Sequence, residues 1–532
     1  MKSKMIVILL AATLVISSLA GCSNNSNTSN NSAVDIEVTE NVTDPVLNFN
    51  KDNYKKETMT VNGQDVTFRA YENVVYVAKP VDIKYQCMNI YIPEAYFKGE
   101  SIGDFTADTA PIFLPNNIGG YMPAEPGTPS LQGGIDGDAS RMGKTKDSDS
   151  QSGGTPNSLL MALQKGYVVA SPGARGRTNQ NSDGTYYGKA PAAIVDLKAA
   201  VSYLHYNDDA MPGTADKIIS NGTSAGGAMS ALLGATGNNE DYKPYLVEIG
   251  AANASNSVYA ASCYCPITNL DNADMGYEWL FNGINDYTKM NISKDDNGQI
   301  KREKQTLTQN DEQMKYSDEL KAAFPEYVNN LNLLDSEGKS LTLDADGNGT
   351  FKDYVKSYVI QSVQSAVDQG KDLSDITWAT IKDGTVTDID FNGYINYVSR
   401  SKAAPAFDKV DLSNGNASAE NNLFGTEDVD NQHFTEFSMT NDTSGAGTLA
   451  DSQIIKMMNP MNYIGVEGSD VANYWRIRHG LKDSDTAIST PVILANVLEG
   501  AGADVDFAVP WNQGHGGDYD LDQLFQWIND IV

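Results

Sequence analysis

The run IISNGTSAGGAMSALLG, Ile218 to Gly234, sets one serine among glycines. Within it, Gly222-Thr223-Ser224-Ala225-Gly226 has the Gly-x-Ser-x-Gly form, after a β-branched stretch and before small and apolar residues at helical spacing. Glycines at those positions relieve crowding at a sharp strand-to-helix turn, which lifts the serine hydroxyl above the sheet with a helix N-terminus behind it. A free serine is a weak nucleophile, so such a corner is useful only with a base at hand and an acid to orient that base. The chain has four histidines. His205 ends a predicted helix before the serine and reads as structural. His433, in DNQHFTEF, reads as a solvated or packing residue, and His479, in RIRHG, as a structural residue of a strand. His515, in WNQGHGGDYD, follows the last predicted strand on a glycine-flanked loop and is the candidate base. One strand earlier, RIRHGLKDSD carries Asp483 and Asp485 on a loop leaving the strand; one of them orients the imidazole and the other is free for a second task. The chemistry is acyl transfer: Ser224 attacks an ester carbonyl, His515 takes its proton, and backbone amides hold the oxyanion. The Ala225 amide is one such donor, and Gly119 or Gly120 of LPNNIGGYMP offers the other. No metal or cofactor is required. DADGNG, Asp344 to Gly349, resembles the start of a calcium loop, but Val355 stands where the bidentate glutamate belongs, so no metal site is expected there.

The elements that must carry these residues alternate. Ala110–Pro115, Tyr167–Pro172 and Asp216–Gly222 read as strands; Asn157–Gly166, Ala190–Tyr206 and the run from Ala225 read as helices. After Asn459 the rhythm resumes with YWRIRHG, PVILANVLEGAG, DVDFAVPW and YDLDQLFQWINDIV. This alternation predicts an α/β fold with a mostly parallel sheet covered by helices on both faces. VTFRAYENVVYVA and IKYQCMNIYIP alternate with period two and predict antiparallel strands at its edge. Residues 266–459 lose the pattern and read as an insertion between 46–265 and 460–532 of one domain. With the serine elbow and the order Ser, Asp, His, the expected fold is that of an α/β-hydrolase.

The N-terminus, MKSKMIVILLAATLVISSLAGC, has two lysines, a short apolar run and small residues. It reads as a signal peptide over residues 1–21 ending in a lipobox, with Cys22 lipidated. Residues 22–45 are Ser/Asn-rich and read as a tether; a coil of about twenty residues reaches roughly 25 Å. The expected location is outside the cytoplasm, anchored to the bacterial cell membrane through Cys22. The net charge of −31 argues against nucleic acid and against anionic lipid as a direct partner. Cys87, Cys263 and Cys265 read as buried thiols, with the last two on one face of a strand, and no cysteine–histidine grouping has zinc spacing.

From about Asp65 onward the chain resembles bacterial tannases of the lactobacillus type, α/β-hydrolases that split galloyl esters. The stretches that carry the resemblance are PNNIGGY, GARGRT, NGTSAGGA, YCPI, ADMGYEW, FNGIND, PAFD, ENNLFG, WRIRHG and GDYDL. The resemblance implies a triad of Ser224, Asp483 and His515 and an oxyanion hole from Gly120 and Ala225. It also implies that Lys402, Glu420 and Asp485 hold the adjacent hydroxyls of the galloyl ring, and that the insertion covers the site as a lid. Buried charges committed to hydroxyls would reject analogues that lack them. The expected partner is therefore a small or polyphenolic ester. An esterase of other phenolic acids, such as ferulate, would share the scaffold; a serine peptidase and a non-catalytic binding lipoprotein are the more distant alternatives.

Overall fold

The thirteen strands of the described chain are β1 (Lys55–Val61), β2 (Gln64–Val75), β3 (Cys87–Pro93), β4 (Pro111–Pro115), β5 (Val168–Pro172), β6 (Thr214–Thr223), β7 (Ala260–Tyr264), β8 (Asp286–Lys294), β9 (Ile300–Thr308), β10 (Ala379–Lys382), β11 (Thr385–Ile389), β12 (Tyr474–Arg478) and β13 (Asp504–Ala508). This computed structural model describes residues 44–131, 155–294, 300–413 and 415–532. The expected signal peptide, Cys22 and nearly all of the tether lie outside the described residues.

Nine strands form one sheet in the order β1-β2-β3-β5-β4-β6-β7-β12-β13. β1, β2, β3 and β5 pair antiparallel in turn, and from β5 to β13 every pairing is parallel. Parallel strands are covered on both faces, so they are apolar along their length. β4 (PIFLP) and β5 (VVASP) are accordingly buried at every position. β2 has one wet face, and its burial alternates around Val66, Phe68 and Ala70. Two strands escape the periodicity. β1 (KKETMTV) is an exposed, charged edge, and β7 (AASCY) is built from small residues.

The helix Leu521–Ile531 illustrates how the cover is fastened. Leu524, Phe525 and Ile528 recur at helical spacing and are wholly buried. Phe525 meets Phe113 of β4 and Tyr167 at ring-centroid distances of 5.4 and 5.7 Å. Each fully buried side chain of this size stabilises by about 1.5–3 kcal/mol. The packing also fixes the C-terminal end of the loop that carries His515.

No strand of this sheet comes from residues between β7 and β12. That insertion holds the helices Leu270–Phe281, Asp311–Asn330 and Thr350–Asp368 and the antiparallel pairs β8–β9 and β10–β11. Its core is aromatic: Trp279 packs on Phe324, Phe351 and Phe391. A buried pair, Arg400 with Glu278 at 2.6 Å, ties two of its segments together. Asp344 of the DADGNG stretch accepts the Asp346 and Asn348 amides at 3.0 and 2.9 Å, a self-capped turn. None of the described helices is long and apolar enough to cross a membrane.

Two expectations need correcting. β7 ends at Tyr264, and Cys265 beyond it has φ +36°, so it does not share a strand face with Cys263. Cys87, Cys263 and Cys265 are free and buried. His479 likewise lies one residue past β12 rather than within it.

Candidate active site

Ser224 stands between β6 and the helix Ala225–Ala235 with φ 60° and ψ −123°. A side chain there costs of order 1–3 kcal/mol, sustained only by surrounding contacts. The Ser224 amide donates to the Tyr264 carbonyl at 2.9 Å, and the Ser224 carbonyl accepts the Ala228 amide at 2.9 Å. The turn is so tight that a Cβ on Gly222 would stand 2.2 Å from the Gly226 carbonyl oxygen. Asn116 clasps it from the side, donating from Nδ2 to the carbonyls of Asn221 and Gly226, each at 3.1 Å.

His515 sits on the loop between β13 and the final helix. Asn221 donates to Asp518 at 3.0 Å, and Asp520 accepts the Tyr264 hydroxyl at 2.5 Å together with the Arg476 guanidinium. A Cβ on Gly517 would meet Thr223 Oγ1 at 1.9 Å, so only glycine lets this loop lie against the elbow. His515 Nε2 thereby comes 2.8 Å from Ser224 Oγ, and its Nδ1 lies 2.9 Å from Asp483 Oδ2. Asp483 is 1 % exposed, and its other oxygen accepts the Asp485 amide at 2.9 Å. Asp485 carries the more exposed carboxylate, 4.0 Å from His515 Nδ1. Burial opposes charge on the His515 imidazole, but Asp483, and behind it Cys265 and Asp485, outweigh this and hold its pKa well above the ordinary value. Burial likewise opposes the Asp483 carboxylate, yet His515 and His479 hold its pKa down at about 2.

Ala225 opens its helix, so its amide is one of the first-turn donors that have no intrahelical partner. Gly120 is held at φ +55°, and its carbonyl accepts Arg177 Nε at 2.7 Å. Arg177 also donates to Asn422 Oδ1 at 2.8 Å, which links the Gly120 loop to the segment carrying Glu420. Glu420 is 7 % exposed, in the first turn of the helix Ala419–Leu423. Lys402 Nζ donates to the Asp485 carbonyl at 2.6 Å and lies 3.9 Å from its carboxylate and 4.2 Å over the Phe407 ring. Lys402 and Asp485 are thus brought together, whereas no hydrogen bond or ion pair among the described residues joins Glu420 to either. Lys409 stands within electrostatic range of both Lys402 and Glu420; burial, opposed first by Asp274 and aided by Lys402, lowers its pKa to about 8.

The remaining histidines divide. His205 Nε2 pairs with the Ser257 carbonyl at 3.0 Å, a structural contact. His433 is fully buried, with Nδ1 2.9 Å from Asp408, so it is a packed and bonded residue rather than a solvated one. Three neighbours of the site escaped the reading of the sequence. Cys265 Sγ lies 4.0 Å from His515 Nε2, His479 Nδ1 lies 3.6 Å from Asp483 Oδ2, and Arg177 braces Gly120. Only the glycine-rich GARGRT context hinted at the arginine.

Comparison with known proteins places the chain. A tannase of Fusobacterium nucleatum is 47 % identical, with 91 % of this chain and 99 % of that chain covered and a TM-score of 0.83. The chain belongs to the bacterial tannase family. A tannase of Lactobacillus plantarum is 41 % identical over 91 % of this chain and 98 % of that one, with a TM-score of 0.82. A tannin acyl hydrolase solved in complex with ethyl gallate is 41 % identical over the same shares, with a TM-score of 0.81. The BD-FAE family model matches residues 135–328. No curated protein matches the chain. The sheet and its covering helices are those of the tannase α/β-hydrolase fold.

Proposed function

We propose that this tannase-family protein is a serine esterase that hydrolyses the galloyl esters of tannins and simple gallate esters. The observation that carries the reading is the continuous chain Ser224–His515–Asp483, with contacts of 2.8 and 2.9 Å. His515 in its neutral form removes the Ser224 proton as Oγ attacks the ester carbonyl. Asp483 holds the imidazole with Nδ1 protonated and offsets the charge it acquires. The amides of Ala225 and Gly120 stabilise the oxyanion. His515 then protonates the departing alcohol, and water, activated by the same imidazole, releases gallate from the acyl-enzyme.

Lys402, Glu420 and Asp485 receive the ring hydroxyls. Charged groups committed to those hydroxyls would lose partners with an analogue that lacks them, and that is the physical source of selectivity in this reading. The relative solved with ethyl gallate supports a gallate ester as the substrate class. Turnover of methyl gallate is expected to exceed that of methyl ferulate by roughly 10²-fold or more in kcat/KM, and Glu420→Gln is expected to remove most of that margin. Steady-state kinetics on both esters measures it; a wild-type preference for ferulate overturns the galloyl assignment.

The enzyme works at the cell surface, held by a lipid on Cys22 with residues 22–45 as spacer. The lipobox Leu19-Ala20-Gly21-Cys22 supports this reading. Cys22→Ser is expected to move the activity from the membrane fraction to a soluble one; an unchanged distribution overturns the anchor.

A further inference from the structure

His479 is 1 % exposed and follows β12 directly. Its amide donates to the Ala508 carbonyl at 3.2 Å, which fixes the backbone against β13. Among the described residues its Nδ1 has no hydrogen-bond partner, yet it stands 3.6 Å from Asp483 Oδ2, the same oxygen that His515 Nδ1 approaches at 2.9 Å. A buried ring nitrogen without a partner is a cost to folding that an apolar side chain of similar shape would avoid. Burial also disfavours the charged imidazole, so His479 is held neutral and carries one ring proton. Beside an anion, the tautomer with that proton on Nδ1 is the favoured one.

We infer that His479 is a positioning residue of the triad, aiming an Nδ1–H at Asp483 Oδ2 so that two imidazoles share one carboxylate oxygen. This rests on the reading of Ser224, His515 and Asp483 as the catalytic triad. The distance of 3.6 Å is longer than a formed bond, as catalytic contacts often are before substrate binds. The second donor limits the directions the carboxylate can take and draws part of its charge away from His515. His515 then stays neutral, and able to accept the Ser224 proton, down to a lower pH than Asp483 alone would allow. The other groups facing this cluster are Asp485, 4.0 Å from His515 Nδ1, and Cys265, 4.0 Å from its Nε2. Lys402 stands behind Asp485, and Tyr394, whose hydroxyl donates to the Leu481 carbonyl at 3.2 Å, lies within reach of the Asp483 charge. None of them approaches Asp483 Oδ2 as a second imidazole does.

The test is the pH profile of kcat/KM for methyl gallate with the full chain. Asparagine places its amide nitrogen where Nδ1 stands, and glutamine places it nearer Nε2; leucine removes the donor altogether. His479→Leu and His479→Gln are expected to move the acid limb to higher pH by roughly half a unit and to lower kcat about tenfold, whereas His479→Asn keeps the wild-type limb. An unmoved limb in His479→Gln, or a limb in His479→Asn displaced as far as in His479→Gln, overturns the inference even if His479→Leu does not fold. Ser224→Ala in the same assay separates the two readings. If wild-type turnover depends on Ser224 and the limb does not move, only the role of His479 fails; if turnover survives in Ser224→Ala, the triad itself fails.

Discussion

Replacing Ser224 by alanine is expected to lower kcat on methyl gallate by about 10⁵–10⁶-fold while the fold and the binding of gallate persist. The magnitude follows from what the hydroxyl does. Without Oγ no acyl-enzyme forms, and the imidazole 2.8 Å away has only water to activate. A water molecule is not tethered to the elbow as Oγ is, so the contribution of proximity is lost along with the nucleophile. Stability should change little. Alanine at φ 60° bears the same backbone strain as serine, and the contacts of the Ser224 amide and carbonyl to Tyr264 and Ala228 are unaffected by the side chain. Residual turnover within a hundredfold of wild type would be incompatible with a Ser224 nucleophile. Loss of covalent fluorophosphonate labelling should accompany the loss of turnover.

Asp483→Asn is the second large effect, with kcat expected to fall by about 10⁴-fold at neutral pH. The carboxylate is buried and accepts one hydrogen bond on each oxygen, from His515 Nδ1 on Oδ2 and from the Asp485 amide on Oδ1, with His479 Nδ1 3.6 Å from Oδ2. An amide of the same shape keeps those distances but favours the wrong tautomer of the imidazole and cannot offset its charge. The sign of the pH effect also follows. Asp483 is the leading influence that raises the His515 pKa against burial. Without it that pKa drops, so the acid limb of kcat/KM moves to lower pH while the plateau collapses. A variant with a tenth of wild-type kcat, or a limb displaced upward, would exclude this role for Asp483.

Much of this was legible before any coordinates. β4, β5, β6 and the helix Ala192–Tyr206 announce themselves because both faces of a parallel layer are apolar, so hydrophobic runs mark them directly. The elbow is local chemistry, and His515 is found from its place after the last strand. β1 is not legible, since a charged edge carries no periodic signal, and β7, a run of small residues, shows only through the spacing of Cys263 and Cys265, which overruns its end by one residue. Asp483 and Asp485 could not be separated by pattern. They lie on one turn, and burial alone distinguishes the acid beneath the imidazole from the one beside it. Lys402 and Glu420 read locally as surface charges; only contacts made by distant segments, through Arg177, Asn422 and Phe407, give them a setting. His479 was read as part of a strand that in fact ends one residue earlier, which turns its ring toward Asp483.

β7 and β12 lie side by side in register although the whole insertion separates them in the chain. A ribosome therefore makes the serine corner well before the base that faces it. Until β12 docks beside β7 and β13 beside β12, the loop that carries His515 has no place over the serine corner. On the proposed triad, activity therefore waits for the two halves of the sheet to join across the insertion.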